Sequence, residues 1–217
     1  MKKLNLILMI TMTVFIFSCE KKENIQPVKE QVTQQTQTPS IQYNESNTQA
    51  ISWNQLPEAL RNAENIKVES EQVSKINASY ITSVGPWGGG GGSGFSIYPT
   101  ASTDKIYAIA IRSGAYVDAL SVWYIRTNGT LYSYSVGGTG GSFYFQAFSP
   151  TERITAFAGR SGAYLDRLTI YTNYKSFSYG GNGGSAFYAG AGANQILGFY
   201  GGSGIYVDRI GAYIYSL

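Results

Sequence analysis

The 217-residue sequence has no histidine and a single cysteine, and Asp, Glu, Lys and Arg together make up 13% of it. Each scarcity removes a kind of chemistry. Nucleophilic catalysis needs a base beside its Ser or Cys, and glycoside hydrolysis needs two carboxylates converging on one bond. In the glycine- and tyrosine-rich part of the chain, only Asp104 and Glu152 accompany the three aspartates of a repeated motif, and neither constellation is visible. Clustered His, Cys or carboxylate residues at metal-ligand spacing are absent, so no metal is expected. The net charge of +3 is small, and the basic residues stand singly rather than beside the tyrosines, which argues against a nucleic-acid partner. The glycine clusters lack the Lys-Ser/Thr ending of a phosphate-binding loop, so they are a poor nucleotide signal. The chain reads as a non-enzyme that uses no cofactor.

Long apolar runs are also scarce. The one at Leu4 to Phe17 is too short for a bilayer, which needs roughly 20 residues. Lys2 and Lys3 precede it and Ser18 follows it, which is the layout of a secretory signal over residues 1–18. Phe15-Ile16-Phe17-Ser18-Cys19 resembles a bacterial lipobox. That resemblance implies that Cys19 is acylated and anchors the chain to a membrane, leaving no free thiol. The expected location is the cell envelope of a Gram-negative-type bacterium, on the outer membrane or cell surface. Residues 19–50, rich in Gln, Thr, Lys and Glu, read as a flexible tether. Within residues 51–80, Leu56, Leu60 and Ile66 have helical spacing and Pro57 suits a first turn, so one short packing or spacing helix is expected there.

What the chain has in abundance is glycine, 26 residues, and tyrosine, 18 residues. They fall into a tandem repeat. Ser-Gly-Ala/Ile-Tyr-Val/Leu-Asp occurs at Ser113–Asp118, Ser161–Asp166 and Ser203–Asp208. Upstream of each copy stands Gly-Gly-x-Gly-Gly-Ser, at Gly88–Ser93, Gly137–Ser142 and Gly180–Ser185. A period of about 45 residues points to equivalent supersecondary units. From about Ala78 the apolar pattern has period two. In the second repeat it predicts strands at Leu131–Val136, Phe143–Phe148, Arg153–Ala158 and Arg167–Tyr171, with a hairpin turn at Asn128-Gly129. The same reading fits the first and third repeats, and three units of four antiparallel strands are compatible with a β-prism or a β-trefoil.

The repeated residues suit neutral polyols. A carboxylate accepts hydrogen bonds from two hydroxyls at once, and consecutive backbone N–H groups in a tight loop donate to the same oxygens. A tyrosine ring can cover the C–H face of a sugar, and glycines let backbone approach a ligand closely. The competing reading is structural: the aspartates cap their own turns, the glycines serve sheet closure, and the tyrosines taken alone are sheet surface.

Gly85-Pro86-Trp87-Gly88-Gly89, the Asp-loop repeats and the ending Ile196 to Asp208 followed by Ile210 to Leu217 resemble the jacalin-related lectins over roughly residues 83–217. The resemblance implies an all-β fold, a β-prism I of three four-stranded Greek-key sheets with pseudo-three-fold symmetry, binding carbohydrate without metal. It implies sites built from a Gly-Gly loop and an Asp loop of neighbouring sheets. Gly88 and Gly89 would join Gly204, Ile205, Tyr206 and Asp208. Gly137 and Gly138 would join Gly114, Ala115, Tyr116 and Asp118. Gly180 and Gly181 would join Gly162, Ala163, Tyr164 and Asp166. The chain runs uninterrupted from Val84 into Gly88, and similarity to uncut family members implies glycans of the mannose or glucose type. Ile205, in place of Ala115 and Ala163, and Trp87, in place of Val136 and Tyr179, are expected to vary the apolar rims. A structural or adhesive protein-binding β domain is the alternative function.

Overall fold

The computed structural model describes residues 49–66 and 80–216. The expected signal segment, Cys19 and the tether through residue 48 lie outside these residues.

Twelve strands form three Greek-key sheets. In the first, β4 (Lys105–Ser113), β5 (Val117–Ile125), β6 (Leu131–Gly137) and β7 (Ser142–Ala147) lie in the order β6-β5-β4-β7. In the second, β8 (Ile154–Ser161), β9 (Leu165–Thr172), β10 (Ser176–Gly180) and β11 (Ser185–Gly190) repeat that order, with β11 beside β8. The third joins the two ends of the domain: β2 (Ile81–Gly88) pairs with β13 (Val207–Tyr215), and β3 (Ser93–Ile97) pairs with β12 (Gln195–Ser203). In each sheet a fourth strand returns to lie beside the first, as a Greek key requires. The architecture is the β-prism and not the trefoil.

The expected four-strand unit 131–171 is therefore cut at the wrong place. Leu131–Gly137 and Ser142–Ala147 complete the first sheet, whereas Ile154–Ser161 and Leu165–Thr172 open the second. The repeat in space is a permutation of the repeat in sequence, because the third sheet borrows its outer strands from the start of the domain. The Asn128-Gly129 turn is where the pattern places it. Gly129 has φ +84, Arg126 N–H donates to Thr130 O at 2.9 Å, and Thr130 N–H donates to Asn128 Oδ1 at 3.0 Å.

Alternating apolar residues from the three sheets meet in one core. Ile109, Ile111, Leu120 and Val122 come from the first sheet, Phe157, Leu168 and Ile170 from the second, and Phe199, Ile210 and Ala212 from the third. Several tyrosines belong to it, against the expectation that tyrosines are sheet surface. Tyr124 and Tyr132 are wholly buried and stacked at 5.4 Å. Their hydroxyls have partners, Leu197 O at 2.7 Å and Asp104 Oδ2 at 2.7 Å, which removes the penalty for burying a phenol.

Residues 49–66 form a strap across the outer face of the first sheet. Ile51 bridges to Phe143, and β1 (Glu64–Asn65) adds in parallel to β6. Between them the expected single helix is instead a 3₁₀ turn, Trp53–Gln55, and one α-helical turn, α1 (Glu58–Arg61). The break has a local cause. Pro57 lacks the N–H that would continue the first turn, and the residue before a proline is driven to extended backbone, as Leu56 is with ψ 144. Leu56 and Leu60 are buried against Trp123, Leu131 and Phe143, and Trp123 Nε1–H donates to Leu60 O at 3.0 Å. Strand β4 is consequently buried on both faces, Ile109 and Ile111 towards the prism core and Ala108 and Ala110 beneath the strap. Leu60→Ala leaves a cavity in a closed cluster and should lower stability by about 2–4 kcal/mol. Urea unfolding of the full chain, followed by tryptophan fluorescence, measures that loss.

Candidate functional site

The three Asp motifs are the hairpin loops β4–β5, β8–β9 and β12–β13. Each opens with a register shift, between Arg112 and Ser113, Arg160 and Ser161, and Gly202 and Ser203. A bulge of this kind re-aims the residues that follow it. Each loop then closes on itself: the N–H of Gly114, Gly162 and Gly204 donates to the carbonyl of Tyr116, Tyr164 and Tyr206 at 3.0, 2.9 and 2.8 Å. Asp118, Asp166 and Asp208 are each the second residue of the outgoing strand, and each is only 6–7% exposed.

The glycine loops dock where the sequence pairs them. Gly88, Gly137 and Gly180 have φ of +130, +94 and +116, and a Cβ on any of them would overlap the carbonyl oxygen of Asp208, Asp118 and Asp166 respectively. This close approach lets the next residue bond. Gly89, Gly138 and Gly181 N–H donate to those three carbonyls at 2.9, 2.9 and 2.8 Å. The expected origin of the pairs is corrected. Both loops come from adjacent strands of one sheet, since Gly88 lies opposite Arg209, Gly137 opposite Ala119 and Gly180 opposite Arg167. Neighbouring sheets meet through the second glycine instead. A Cβ on Gly89 would strike the Ala163 carbonyl, one on Gly138 the Ile205 carbonyl, and one on Gly181 the Ala115 carbonyl. The three loop pairs thus interlock in a ring.

The residues that face the carboxylates most closely are ones the sequence reading passed over. Cβ atoms on Gly91 and Gly92 would overlap the Asp208 carboxylate, those on Gly140 and Gly141 the Asp118 carboxylate, and those on Gly183 and Gly184 the Asp166 carboxylate. The signal was in the repeat. Positions four and five of Gly-Gly-x-Gly-Gly-Ser are glycine in all three copies, while the third is Gly90, Thr139 or Asn182. Arginines clasp these loops through their carbonyls. Arg112 donates to Thr139 O at 3.3 Å and Gly141 O at 3.4 Å, Arg160 to Gly183 O at 2.8 Å and Gly184 O at 2.6 Å, and Arg209 to Gly91 O. Burial pushes the Asp118 carboxyl above its usual range, opposed by the Gly114 N–H and the Arg112 guanidinium.

Tyr116, Tyr164 and Tyr206 pack on one another, with ring centroids 5.3, 5.4 and 5.1 Å apart. The three Asp loops therefore share one end of the prism around an aromatic triad. Ile205 is 74% exposed there and forms a rim. Trp87 and Tyr179 do not. Trp87 stacks on Phe187 at 5.0 Å and meets Phe157 edge-on, and the buried Tyr179 stacks on Tyr144 at 4.1 Å. They sit at inward positions of the period-two pattern, so they shape the core and not the rim. Gly114 and Gly204 are bare for no packing reason. A Cβ on either meets nothing within 4 Å, and neither has a left-handed backbone. Among the described residues, no three His, Cys, Asp or Glu side chains gather as metal ligands would.

Residues 84–213 match the jacalin-like lectin domain family. The banana lectin structure is similar, at 32% identity and TM-score 0.58, covering 63% of this chain and 99% of its own. A mannose-binding jacalin-related lectin from Ananas comosus is 28% identical at TM-score 0.58, with coverage of 63% and 99%. The Calystegia sepium agglutinin is 33% identical at TM-score 0.55, with coverage of 61% and 95%. Among curated proteins none matches the chain.

Two alanine substitutions one residue apart separate the roles within a glycine loop. A Cβ on Gly90 has open space, whereas one on Gly91 meets the Asp208 carboxylate. Gly90→Ala should leave the melting temperature unchanged, and Gly91→Ala should cost about 1–3 kcal/mol through overpacking. Thermal unfolding of the two variants checks this.

Proposed function

The chain belongs to the jacalin-like lectin domain family, and we propose that it is a non-catalytic, metal-independent lectin for mannose- or glucose-type glycans with up to three sites. Open space at Gly114 and Gly204 carries the reading. Neither packing nor backbone conformation requires glycine there, so the room is left for something that approaches from outside. Gly162 has only ordinary contacts at 3.7 and 3.8 Å, to Gly184 and to the Asp166 carboxylate. A pyranose entering this space has its hydroxyls donate to Asp118, Asp166 or Asp208 and accept from the N–H groups of the adjoining loop residues, Ala115-Tyr116, Ala163-Tyr164 or Ile205-Tyr206. The tyrosine triad offers ring faces to its C–H side. The relatives support the sugar class: the Ananas comosus protein is described as mannose-binding, and the Calsepa lectin, 33% identical at TM-score 0.56, has been solved with a biantennary N-glycan.

The sites are shallow and the ligand well hydrated, so individual dissociation constants near ~1 mM are expected, with gains of about 10²-fold or more on multivalent glycans. Asp→Asn keeps an acceptor oxygen and loses the charge, and should weaken its site by roughly 1–2 kcal/mol with the fold intact. Calorimetry with methyl mannoside and methyl glucoside on the wild type and on Asp118→Asn/Asp166→Asn/Asp208→Asn tests this. Unchanged binding by a folded triple variant removes the aspartates from the site. A wild type that binds no glycan returns the loops to a structural role in a protein-binding domain.

Anchoring through acylated Cys19 completes the proposal, since a diacylated, N-acylated cysteine supplies more than one chain for stable attachment. Cys19→Ser should release the protein into the aqueous phase of a detergent partition. Continued partition into detergent with continued palmitate labelling of that variant would refute the anchor.

A further inference from the structure

We propose that the strap extends one of the three sites into a second subsite, a groove that takes the next pyranose of an oligosaccharide whose first ring sits at Asp208. This rests on the carbohydrate reading above. The groove has a volume of about 390 Å³ and runs between the Asp208 loops and the neighbouring Asp118 loops, at the low end of small-molecule sites of roughly 300–1,000 Å³. Ser93 and Gly204 bound it on one side, Gly137 on the other, and Asn65 and Ile66 of the strap form a further wall. Ser93 ends the glycine loop that encloses the Asp208 carboxylate, and Gly204 opens the Asp208 loop itself. A ring at Asp208 is therefore continuous with the groove.

The lining fits a sugar in particular. Ile66, Phe95 and Val136 give apolar surface, Asn65, Ser135 and Ser203 give amide and hydroxyl groups, and no lining residue carries a charge. Mixed apolar and neutral hydrogen-bonding surface matches a pyranose, with its C–H face and its hydroxyls, and offers nothing to a phosphate or an ionised peptide side chain. Asn65 is held by a strand ladder: it lies opposite Ser133 in the parallel pairing of β1 with β6, and Ile66 N–H donates to Ser133 O at 2.9 Å. β1 pairs with β6 alone, so among the described residues the strap borders this junction and not its two symmetry equivalents. Asn65 and Ile66 also lie outside the family match at 84–213. The subsite is an addition to the shared fold, and it makes one site of three prefer an oligosaccharide.

Calorimetric titration of the full chain with methyl α-mannoside and with the α1-2, α1-3 and α1-6 methyl mannobiosides tests the proposal. The wild type should bind at least one mannobioside in a single tighter event per chain, about five-fold or more above methyl mannoside, the scale of one or two added hydrogen bonds. Asn65→Ala should abolish that gain and leave methyl mannoside binding and the melting temperature unchanged. Asp208→Asn should abolish it too, and Asp166→Asn should not. No mannobioside preference in the wild type, a gain that persists in Asn65→Ala, or one that survives Asp208→Asn each overturns the subsite while leaving the lectin reading in place. A wild type that binds none of these mannosides overturns the subsite, and one that binds methyl glucoside no better overturns the lectin reading as well.

Discussion

The hydrogen bond from the second glycine of each loop to the backbone carbonyl of the motif aspartate, Gly89 to Asp208, Gly138 to Asp118 and Gly181 to Asp166, is the contact on which this end of the prism depends. It forms only because the preceding glycine has a left-handed backbone and no Cβ, so that β2, β6 and β10 can run tight against their partners up to the loop. The same second glycines are where neighbouring sheets touch, against the carbonyls of Ala163, Ile205 and Ala115. Each loop therefore docks onto its own sheet and closes the ring with the next. The structural and ligand-binding readings of the glycines are not rivals here: sheet closure uses the first pair and enclosure of the carboxylate uses the second, whereas Gly90, Gly114 and Gly204 have open space where a Cβ would lie.

Burial raises the Asp118 carboxyl above its usual range, and the Gly114 N–H and the Arg112 guanidinium oppose that rise. Arginines reach the glycine loops from different positions in each repeat. Arg112 and Arg160 precede their loops on β4 and β8, while in the third repeat that position is Gly202 and Arg209 from the opposite strand fills the space. Their guanidinium groups bond glycine-loop carbonyls. A bidentate arginine–carboxylate pair would have engaged both aspartate oxygens; these guanidinium groups bond the loop carbonyls instead, and Arg112 supplies positive potential to Asp118.

The parts of this arrangement that depend on identical residues at identical intervals were legible in the sequence: the three-fold repeat, the pairing of each glycine loop with its aspartate, and the Asn128-Gly129 turn. Parts that depend on which face or which partner a strand finds were not. A period-two pattern is the same whether Leu131–Gly137 opens a unit or closes one, so the sheet boundaries were misplaced until strand pairing was known. Trp87 and Tyr179 stand beside glycine loops in sequence, but the alternation of a strand turns them into the core. The second glycine pairs were overlooked because the family resemblance directs attention to the first. Leu56 and Leu60 announced a packing segment, and Pro57 decided that it would be two turns rather than a helix.

The strap links packing to recognition more directly than its short elements suggest. Without it, Tyr107, Trp123, Leu131 and Phe143 would leave an apolar patch on the outer face of the first sheet, a surface that soluble proteins seldom expose. Leu60 and the Trp123 indole bond fix the strap over that patch, and the fixed strap then continues as β1 along β6, the strand that ends in Gly137. Covering the sheet and walling the proposed subsite are thus consecutive steps along a single piece of chain. Because the described strap is one segment on a three-fold body, it borders one junction, and the symmetry of the repeated loops is broken at that edge while the glycine–aspartate hydrogen bonds stay the same.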